Sequence, residues 1–556
     1  MCLAEVTPYT SRGKASVRMS AIAASCLRFA PVVLLFACGV ELPKDTDESH
    51  SPGASPLRRL TNTEYDNTVA DLLGDTTAPA TTFPGETTST QGYDTFATGL
   101  GVSVTHARSL LTAAEALATA AVRDKLTTLL GGCDVATSGE ETCVRTFVTT
   151  FGERAFRRPL TEAEVARFTQ LQASVRATHD FPSSIRLTLE AFLLSPDFLY
   201  RVELGERGDQ GDVVKPTSFE MASRLSYLFA GSMPDDELFR AARADELQTA
   251  AQIERQARRL LELPRARTVF THFADQWLEL RSIVSMQKTA NAFPGYDDSL
   301  KPLMKEEANR LVDSVVWDGD GDVYKLLTAD YSFVNGELAS FYGITGVGGE
   351  FMRVALDPAQ RKGLLTLAGV LASHGKPDQT LPARRGKFVR SKIFCIPVGD
   401  PPPGALEMAP QRLPGMTTRE YFTLVDQQPA CGGCHVPLDG LGYGLENYDS
   451  VGRWRTTDLG KPIDSTGEIL DTDVDGPFMG GVELADRVAQ SADVATCVSR
   501  QLFQFAAGRP DGTKDALSMS QLGKHFEEAH HDLRELMVAL TQTDAFLFMV
   551  SQGAQR

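Results

Sequence analysis

The sequence has no excess of positive charge. Its 72 Asp and Glu residues outnumber its 55 Lys and Arg residues, which gives a formal net charge of −17 at pH 7. An acidic surface repels phosphate backbones, so we expect that nucleic acid is not a partner of this chain. The same negative charge argues against electrostatic docking on anionic lipid.

Motifs that identify several common enzyme classes are also absent. The sequence contains no Gly-x-Ser-x-Gly nucleophile elbow, no Walker phosphate loop and no Rossmann fingerprint. It therefore offers no argument for a hydrolase or for a nucleotide-binding protein, and whether the chain is an enzyme stays open.

Strand signals are scarce, whereas apolar residues recur at helical spacing along most of the chain. The clearest helical segments are residues 101–130, 185–204, 219–230, 236–242, 251–263, 269–280, 300–317 and 359–373. This pattern predicts an all-α, mainly helical fold. We expect a large multi-helix body followed by a smaller, loop-rich helical region at the C-terminus.

The N-terminus is typical of a secretory signal. Residues 20–37 are small or apolar apart from Arg28, a stretch too short for a spanning helix but suitable for a signal peptide. Leu35-Phe-Ala-Cys38 resembles a bacterial lipobox, which predicts cleavage before Cys38 and lipidation of its thiol. The alternative is a plain signal peptide followed by an incidental cysteine. The lipobox predicts an exported cell-envelope protein that is held at a membrane by its lipid anchor. Gly39, the residue after the lipidated cysteine, is compatible with sorting to the outer membrane.

Composition divides the rest of the chain. We expect a signal peptide over 1–37, a flexible tether over 38–56 and an N-terminal helical module over 57–145. A central helical body over 146–395 and a Pro-rich linker over 396–415 follow. The last region, 416–556, contains the Cys/His motif and terminal helices. A chain of 556 residues exceeds the size of one ordinary domain.

Six cysteines follow Cys38, an even number that favours disulfides in an oxidising compartment. Cys133 and Cys143 are the simplest pair because only a short Gly- and Ser-containing loop separates them. The other disulfide candidates, Cys395 and Cys497, lie in the C-terminal part together with Cys431 and Cys434.

The strongest motif is Cys431-Gly-Gly-Cys434-His435, which has the spacing of a c-type haem attachment site. Two thiols three residues apart at the start of a helix reach two vinyl groups, and the next residue directs its imidazole at the iron. One covalent haem c is therefore expected at Cys431, Cys434 and His435. Disulfides at these cysteines are one alternative. Structural zinc completed by Cys395 or Cys497 is the other.

A haem iron bound to His435 has a sixth coordination position. Met479 follows in a Gly-rich segment and is the expected axial ligand. The alternatives are Met408, Met416, His374, His525 and His530.

A short acidic stretch resembles a calcium loop. Asp471, Asp473 and Asp475 alternate before Gly476, but the acidic residue that should close the loop, Glu483, comes one position late. Calcium is a candidate ligand here, and a solvated turn is the alternative.

Several longer segments resemble one bacterial family. They are Leu57–Gly74, Phe151–Leu160, Leu194–Glu203, Ala222–Phe229, Leu326–Asn335, Arg385–Arg390 and Val498–Arg509. In this order they are similar to large envelope proteins sometimes labelled planctomycete-type cytochrome-c-like, which are built from the 1587, 1595, 1592, 1588 and 1585 domains of unknown function. The resemblance implies a cytochrome-c-like C-terminal region and redox work at the cell surface. This chain has a single Cys-x-x-Cys-His and has Asp439-Gly440 where the family usually shows Asp-Pro.

Two hypotheses follow from the sequence. The first is an envelope lipoprotein with one covalent haem, acting in electron transfer or as part of an oxidoreductase, with a redox protein of the envelope as partner. The second is a non-catalytic, disulfide-stapled helical scaffold that binds a partner at the cell surface.

Overall fold

The structure is a computed structural model that describes residues 50–86, 92–205, 213–289, 292–401 and 403–550. The predicted signal peptide, the lipidation site Cys38 and most of the tether lie outside the described residues. Residues 50–56, which the sequence assigns to the tether, contact the C-terminal region: the Ser51 hydroxyl donates to the carbonyl of Lys514, and Arg509 donates to the carbonyl of Ala54. Within the described ranges, every helix is too short or too polar to cross a bilayer.

Helices dominate the described residues, so the prediction of a mainly helical fold is confirmed. The N-terminal helices are α1 Asn62–Leu73, α2 Val104–Leu129, α3 Val135–Ser138, α4 Glu140–Phe156, α5 Glu162–Arg176, α6 Phe181–Leu193 and α7 Pro196–Leu199. Helix α1 begins with a capping box between Thr61 and Glu64 and ends at Gly74 in the left-handed conformation, as its sequence predicts.

The central helices follow without long gaps. They are α8 Ser218–Ala230, α9 Asp236–Arg243, α10 Ala250–Leu261, α11 Pro264–Trp277, α12 Arg281–Ser285, α13 Leu300–Asp313, α14 Tyr324–Thr328, α15 Gly336–Tyr342, α16 Ala368–Ser373 and α17 Pro382–Phe388. One turn of π-helix extends α13 over Ser314–Asp318 and another extends α17 over Val389–Ile393.

The C-terminal helices are α18 Ala405–Met408, α19 Thr418–Asp426, α20 Gly432–Tyr443, α21 Gly480–Val488, α22 Ala492–Ala507, α23 Ala516–Glu528, α24 Leu533–Leu540 and α25 Asp544–Leu547. Short 3₁₀ turns occur at Pro79–Thr82, Ala97–Gly99, Leu364–Thr366 and Thr513–Asp515.

Strands in the described part of the chain form five antiparallel pairs. They are β1 Arg58–Arg59 with β2 Tyr200–Arg201, β3 Val213–Val214 with β10 Met549–Val550, β4 Tyr331–Val334 with β5 Met352–Ala355, β6 Thr457–Asp458 with β7 Lys461–Pro462, and β8 Thr466–Ile469 with β9 Gly476–Met479. Pairs β1–β2 and β3–β10 join segments that are far apart in the sequence, so they tie the modules together.

A small hydrophobic cluster includes Cys431, and two large cores organise the described residues. The smaller of the two cores extends from Leu60 to Leu199 and is filled by helices α1, α2 and α4–α6. The larger combines central and C-terminal helices, for example Phe273 of α11 with Phe503 of α22. Residues from His50 onward therefore form one compact unit. The domain boundaries drawn from the sequence stay a prediction.

Two disulfides reinforce these cores. Cys133 pairs with Cys143, which joins the segment after α2 to helix α4. Cys395 pairs with Cys497 across 102 residues, which joins the segment after α17 to helix α22. All four disulfide candidates are thus paired, and Cys431 and Cys434 are free thiols.

A buried carboxyl in α13 makes stability depend on pH. Burial raises the pKa of Glu307 to about 7, although the hydroxyls of Ser332 and Tyr342 donate to it at 2.6 and 2.7 Å. The folded protein holds this proton more tightly than the unfolded chain does. The protonated Glu307 side chain therefore contributes its full stabilisation of the folded state below pH 4.5. This contribution is lost as the pH rises through about 7.

We expect Glu307→Gln to remove this dependence. Between pH 4.5 and 7, the free energy of unfolding of the natural protein should fall by about 3 kcal/mol more than that of the variant. Urea unfolding at a series of pH values measures the difference, with Glu306→Gln on the exposed side of the same helix as control. Equal slopes for the natural protein and Glu307→Gln would contradict the assignment.

Candidate functional site

The Cys-x-x-Cys-His motif is positioned by close packing of α20 on α17. A Cβ atom on Gly386 would overlap the carbonyl of Leu438, and a Cβ atom on Gly442 would overlap the carbonyl of Pro382. The two backbones therefore meet at positions that only glycine permits. Arg385 of α17, 1% exposed, also donates to the carbonyls of Leu445 and Tyr448 beyond α20.

The motif occupies the first turn of α20. Cys431 precedes the helix, and its carbonyl accepts the backbone N–H groups of Cys434 and His435 at 3.1 and 3.0 Å. Cys431 is buried beside Phe422 and Val425 of α19, whereas Cys434 is exposed. The thiols are unpaired at the start of a helix, as the attachment chemistry requires.

His435 is held by a carboxylate one turn along the helix. Its Nδ1 lies 2.7 Å from Oδ2 of Asp439, an i,i+4 pair whose carboxylate is fully buried. The His435 ring stacks on Phe422 with 6.1 Å between ring centres and is about one-third exposed. With Nδ1 occupied in this way, Nε2 is the nitrogen left for a metal.

A second carboxylate faces this pair. Tyr443, one turn beyond Asp439, donates its hydroxyl to Oδ2 of Asp426 at 2.7 Å. Asp426 ends α19, so the packing of α19 on α20 brings it to the His435 side. Potential metal-ligand atoms of Asp426, His435 and Asp439 lie within 4.8 Å of one another. Among the described residues, this is the group of three such side chains close enough to share a metal ion.

The charges in this cluster influence each other. Burial raises the pKa of Asp439 to about 7; the hydrogen bond with His435 opposes this rise, and the charge of Asp426 adds to it. The same hydrogen bond raises the pKa of His435 above its ordinary value. Burial also raises the pKa of Tyr443, so its hydroxyl keeps the proton that it donates to Asp426. The second oxygens of Asp426 and Asp439 are buried and have no hydrogen-bond partner among the described residues.

The donor set suits a covalently attached haem. Two free thiols with the required spacing and an imidazole fixed through Nδ1 supply every attachment that the motif needs. Cys434 and part of the His435 ring reach solvent, whereas Cys431 is buried against α19. Zinc completed by Cys395 or Cys497 is wrong for this structure, because those two cysteines are bonded to each other.

The expected sixth ligand, Met479, lies at the end of β9. The β8–β9 hairpin packs on α20, where Phe478 occupies the space beside Gly444. Met479 itself is 64% exposed, and its role as axial ligand stays a prediction. The alternative His374 is engaged elsewhere, since its ring nitrogens contact the carbonyl of Val370 and the carboxylate of Glu279.

The three aspartates of the calcium candidate point to different partners. Asp471 pairs with Arg390 at 2.9 Å, Asp473 accepts the N–H of Ala492 at 2.7 Å, and Asp475 accepts the N–H of Thr472 at 2.7 Å. They serve as turn and cap residues, and calcium at this position stays a prediction.

Comparison with family models covers most of the described chain. Residues 58–123, 143–203, 217–344, 361–458 and 475–546 match, in that order, the families described as "Protein of unknown function" DUF1587, DUF1595, DUF1592, DUF1588 and DUF1585. The chain therefore belongs to the planctomycete cytochrome-c-like family that carries these five modules in series. No curated protein and no solved structure matches it.

The sequence analysis identified the thiols and the imidazole but missed the carboxylates and the tyrosine that surround His435. Asp439 follows His435 by four residues, so helical spacing alone could have marked it. Asp426 precedes the motif on a different helix, and only the packing of α19 against α20 brings it close. Nothing local in the sequence connects Tyr443 with Asp426.

Proposed function

We propose that this chain carries one covalent c-type haem at Cys431, Cys434 and His435 and acts in electron transfer in the cell envelope. The observation that carries the proposal is the pairing of cysteines. The other four described cysteines form two disulfides, and the two thiols of the motif stay free beside an oriented imidazole. The motif also lies inside the module whose family model is named PSCyt3.

Each residue of the site has a distinct task in this proposal. Cys431 and Cys434 form the thioether bonds, and His435 binds the iron through Nε2. Asp439 accepts the Nδ1–H hydrogen bond, which sets the ring orientation and increases the basicity of the ligand. When bound, the haem supplies a one-electron carrier.

Expression in a periplasm with haem-maturation proteins tests the proposal. We expect a Soret absorption band and haem stain that remain with the chain on a denaturing gel. Cys431→Ala/Cys434→Ala should lose both signals, whereas the matched double variant Cys133→Ala/Cys143→Ala should retain them.

Two results would overturn the assignment. One is a colourless protein after maturation. The other is free Cys431 and Cys434 thiols, detected by alkylation and peptide mapping of the matured protein.

Location and partners form part of the same proposal. The lipobox supports export and a lipid anchor at Cys38 on the outer membrane, with a redox protein of the envelope as electron donor or acceptor. Haem attachment requires an exported chain, so the signal and the motif support each other. Labelling of Cys38 with a radioactive fatty acid tests the anchor.

A disulfide-stapled scaffold is the second candidate function. The two disulfides of the described chain favour it, and one of them joins segments 102 residues apart. Peptide mapping that finds a third bridge between Cys431 and Cys434 would support this candidate and exclude thioether bonds.

A further inference from the structure

Arginines from four family modules meet around one cavity of about 90 Å³. Arg58 comes from the first module, Arg201 from the second, Arg224 from the third and Arg509 from the last. Such a cavity has room for several water molecules or one small ion. It is formed by β1, β2, α8 and the end of α22, away from the Cys-x-x-Cys-His motif.

Two of these arginines are fully satisfied. Arg224 donates to the carboxylate of Glu203 at 2.7 and 3.0 Å and to the carbonyl of Phe548 at 3.3 Å. Arg509 binds both oxygens of Asp515 at 2.7 Å and the carbonyl of Ala54 at 2.6 Å. Their guanidinium groups have little capacity left for a ligand.

Arg201 is not satisfied. Its side chain is 9% exposed, and its Nε is buried without a hydrogen-bond partner among the described residues. Its nearest carboxylates, Glu64 and Glu203, are 4.0 and 3.9 Å away, beyond the range of an N–H···O hydrogen bond. The guanidinium carbon lies 4.9 Å from the ring centre of Tyr227, and Arg201 lines the cavity.

Arg58 is in a similar position. It lies directly opposite Arg201 in the β1–β2 ladder, where two like charges destabilise the pairing. Its Nη1 donates to the carbonyl of Ala506 at 3.3 Å, and its Nη2 is 3.9 Å from Glu64. The two arginines thus share one distant carboxylate oxygen of Glu64, whose other oxygen accepts the N–H of Thr61.

The local charge is positive. Asp515 neutralises Arg509, which leaves Arg58, Arg201 and Arg224 with Glu64 and Glu203 as the carboxylates within 4.0 Å among the described residues. Burial raises the pKa of Glu64 above its ordinary value. A buried guanidinium without hydrogen-bond partners is costly, and the usual remedy in proteins is an anion that accepts from it.

We propose that this cavity binds a small oxyanion, a carboxylate, phosphate or sulfate group, through Arg58 and Arg201. Guanidinium forks match the oxygens of such groups. The anion would separate the two opposed arginines and connect modules one and two to the C-terminal module. This inference is independent of haem attachment, because it involves none of the haem-site residues.

Calorimetric titration of the full chain tests the site. Sodium phosphate, sulfate and acetate are compared with chloride at equal ionic strength. Separate isotherms identify whether the site prefers a free inorganic ion or a carboxylate group. We expect saturable 1:1 binding of at least one oxyanion and a melting temperature that rises with its concentration.

Arg201→Met keeps the unbranched apolar stem of the side chain but removes the guanidinium, its charge and its contact with Tyr227. It should weaken oxyanion binding at least tenfold and abolish the rise in melting temperature. Arg123→Met, at an exposed site on α2, should bind as the natural protein does. If Arg201→Met does not fold, Arg58→Gln serves as the second variant.

Two outcomes overturn the proposal. In the first, the three oxyanions affect the natural protein no more than chloride does. In the second, Arg201→Met lowers the melting temperature equally with and without oxyanion, as expected for an arginine whose role is only structural.

Discussion

Replacing Gly442 with alanine is expected to lower the free energy of unfolding by about 3–5 kcal/mol, because the added methyl group meets backbone rather than a movable side chain. The Cβ atom would overlap the carbonyl of Pro382, and Gly386 on the facing helix is equally close to Leu438. Helices α17 and α20 must separate to admit it. Urea unfolding followed by circular dichroism measures the loss.

The chain offers a matched control on the same helix. A Cβ atom on Gly433 meets nothing within 4 Å, so Gly433→Ala should leave stability unchanged or raise it by up to ~1 kcal/mol. Equal unfolding free energies for the two variants would contradict the close packing. A second consequence concerns the haem site: separation of α17 and α20 should reduce the yield of haem-stained protein for Gly442→Ala.

The second large effect concerns the disulfide between Cys395 and Cys497. It closes a loop of about 100 residues that contains α19, α20 and the whole Cys-x-x-Cys-His motif. Closing a loop of this length removes about 4.7 kcal/mol of conformational entropy from the unfolded chain. Cys395→Ala/Cys497→Ala should therefore destabilise the protein by nearly this amount.

The other disulfide provides the comparison. Cys133 and Cys143 are ten residues apart, and closing so short a loop is worth about 3 kcal/mol. The double variant Cys133→Ala/Cys143→Ala should lose correspondingly less. An equal or larger loss for the short loop would show that loop entropy does not determine the contribution of these bridges.

The haem candidate and the oxyanion candidate lie in different parts of the molecule. Cys431, Cys434 and His435 lie in the fourth module, where α17, α19 and α20 pack together. The oxyanion candidate lies where the first, second, third and last modules meet.

Local features were predictable because their physical causes are local. The capping box of Thr61 and Glu64 and the helix end at Gly74 depend on residues within one or two turns. The Cys133–Cys143 bridge follows from short separation. The thiol spacing of Cys431 and Cys434 is likewise a property of one helical turn.

Contacts between distant segments were not predictable in this way. The tether assignment of residues 50–56 rested on their composition, which does not reveal that Ser51 and Ala54 contact the C-terminal region. Likewise, the sequence around Arg455 offers several carboxylates as ion-pair partners, among them Glu446 and Asp449. The structure places its Nη2 at 3.0 Å from Glu446. In both cases the deciding partner is brought near by folding of the whole chain.

The sequence by itself determined the helical class, the module order and the spacing of the Cys-x-x-Cys-His motif, because periodicity, motif spacing and residue type are properties of short segments. Only the tertiary structure decided that Asp426, on a neighbouring helix, lies close to the His435–Asp439 pair, and which cysteines remain free. It also decided that Arg58 and Arg201 oppose each other across one cavity. These arrangements depend on long-range packing, whose free energy is shared by segments hundreds of residues apart.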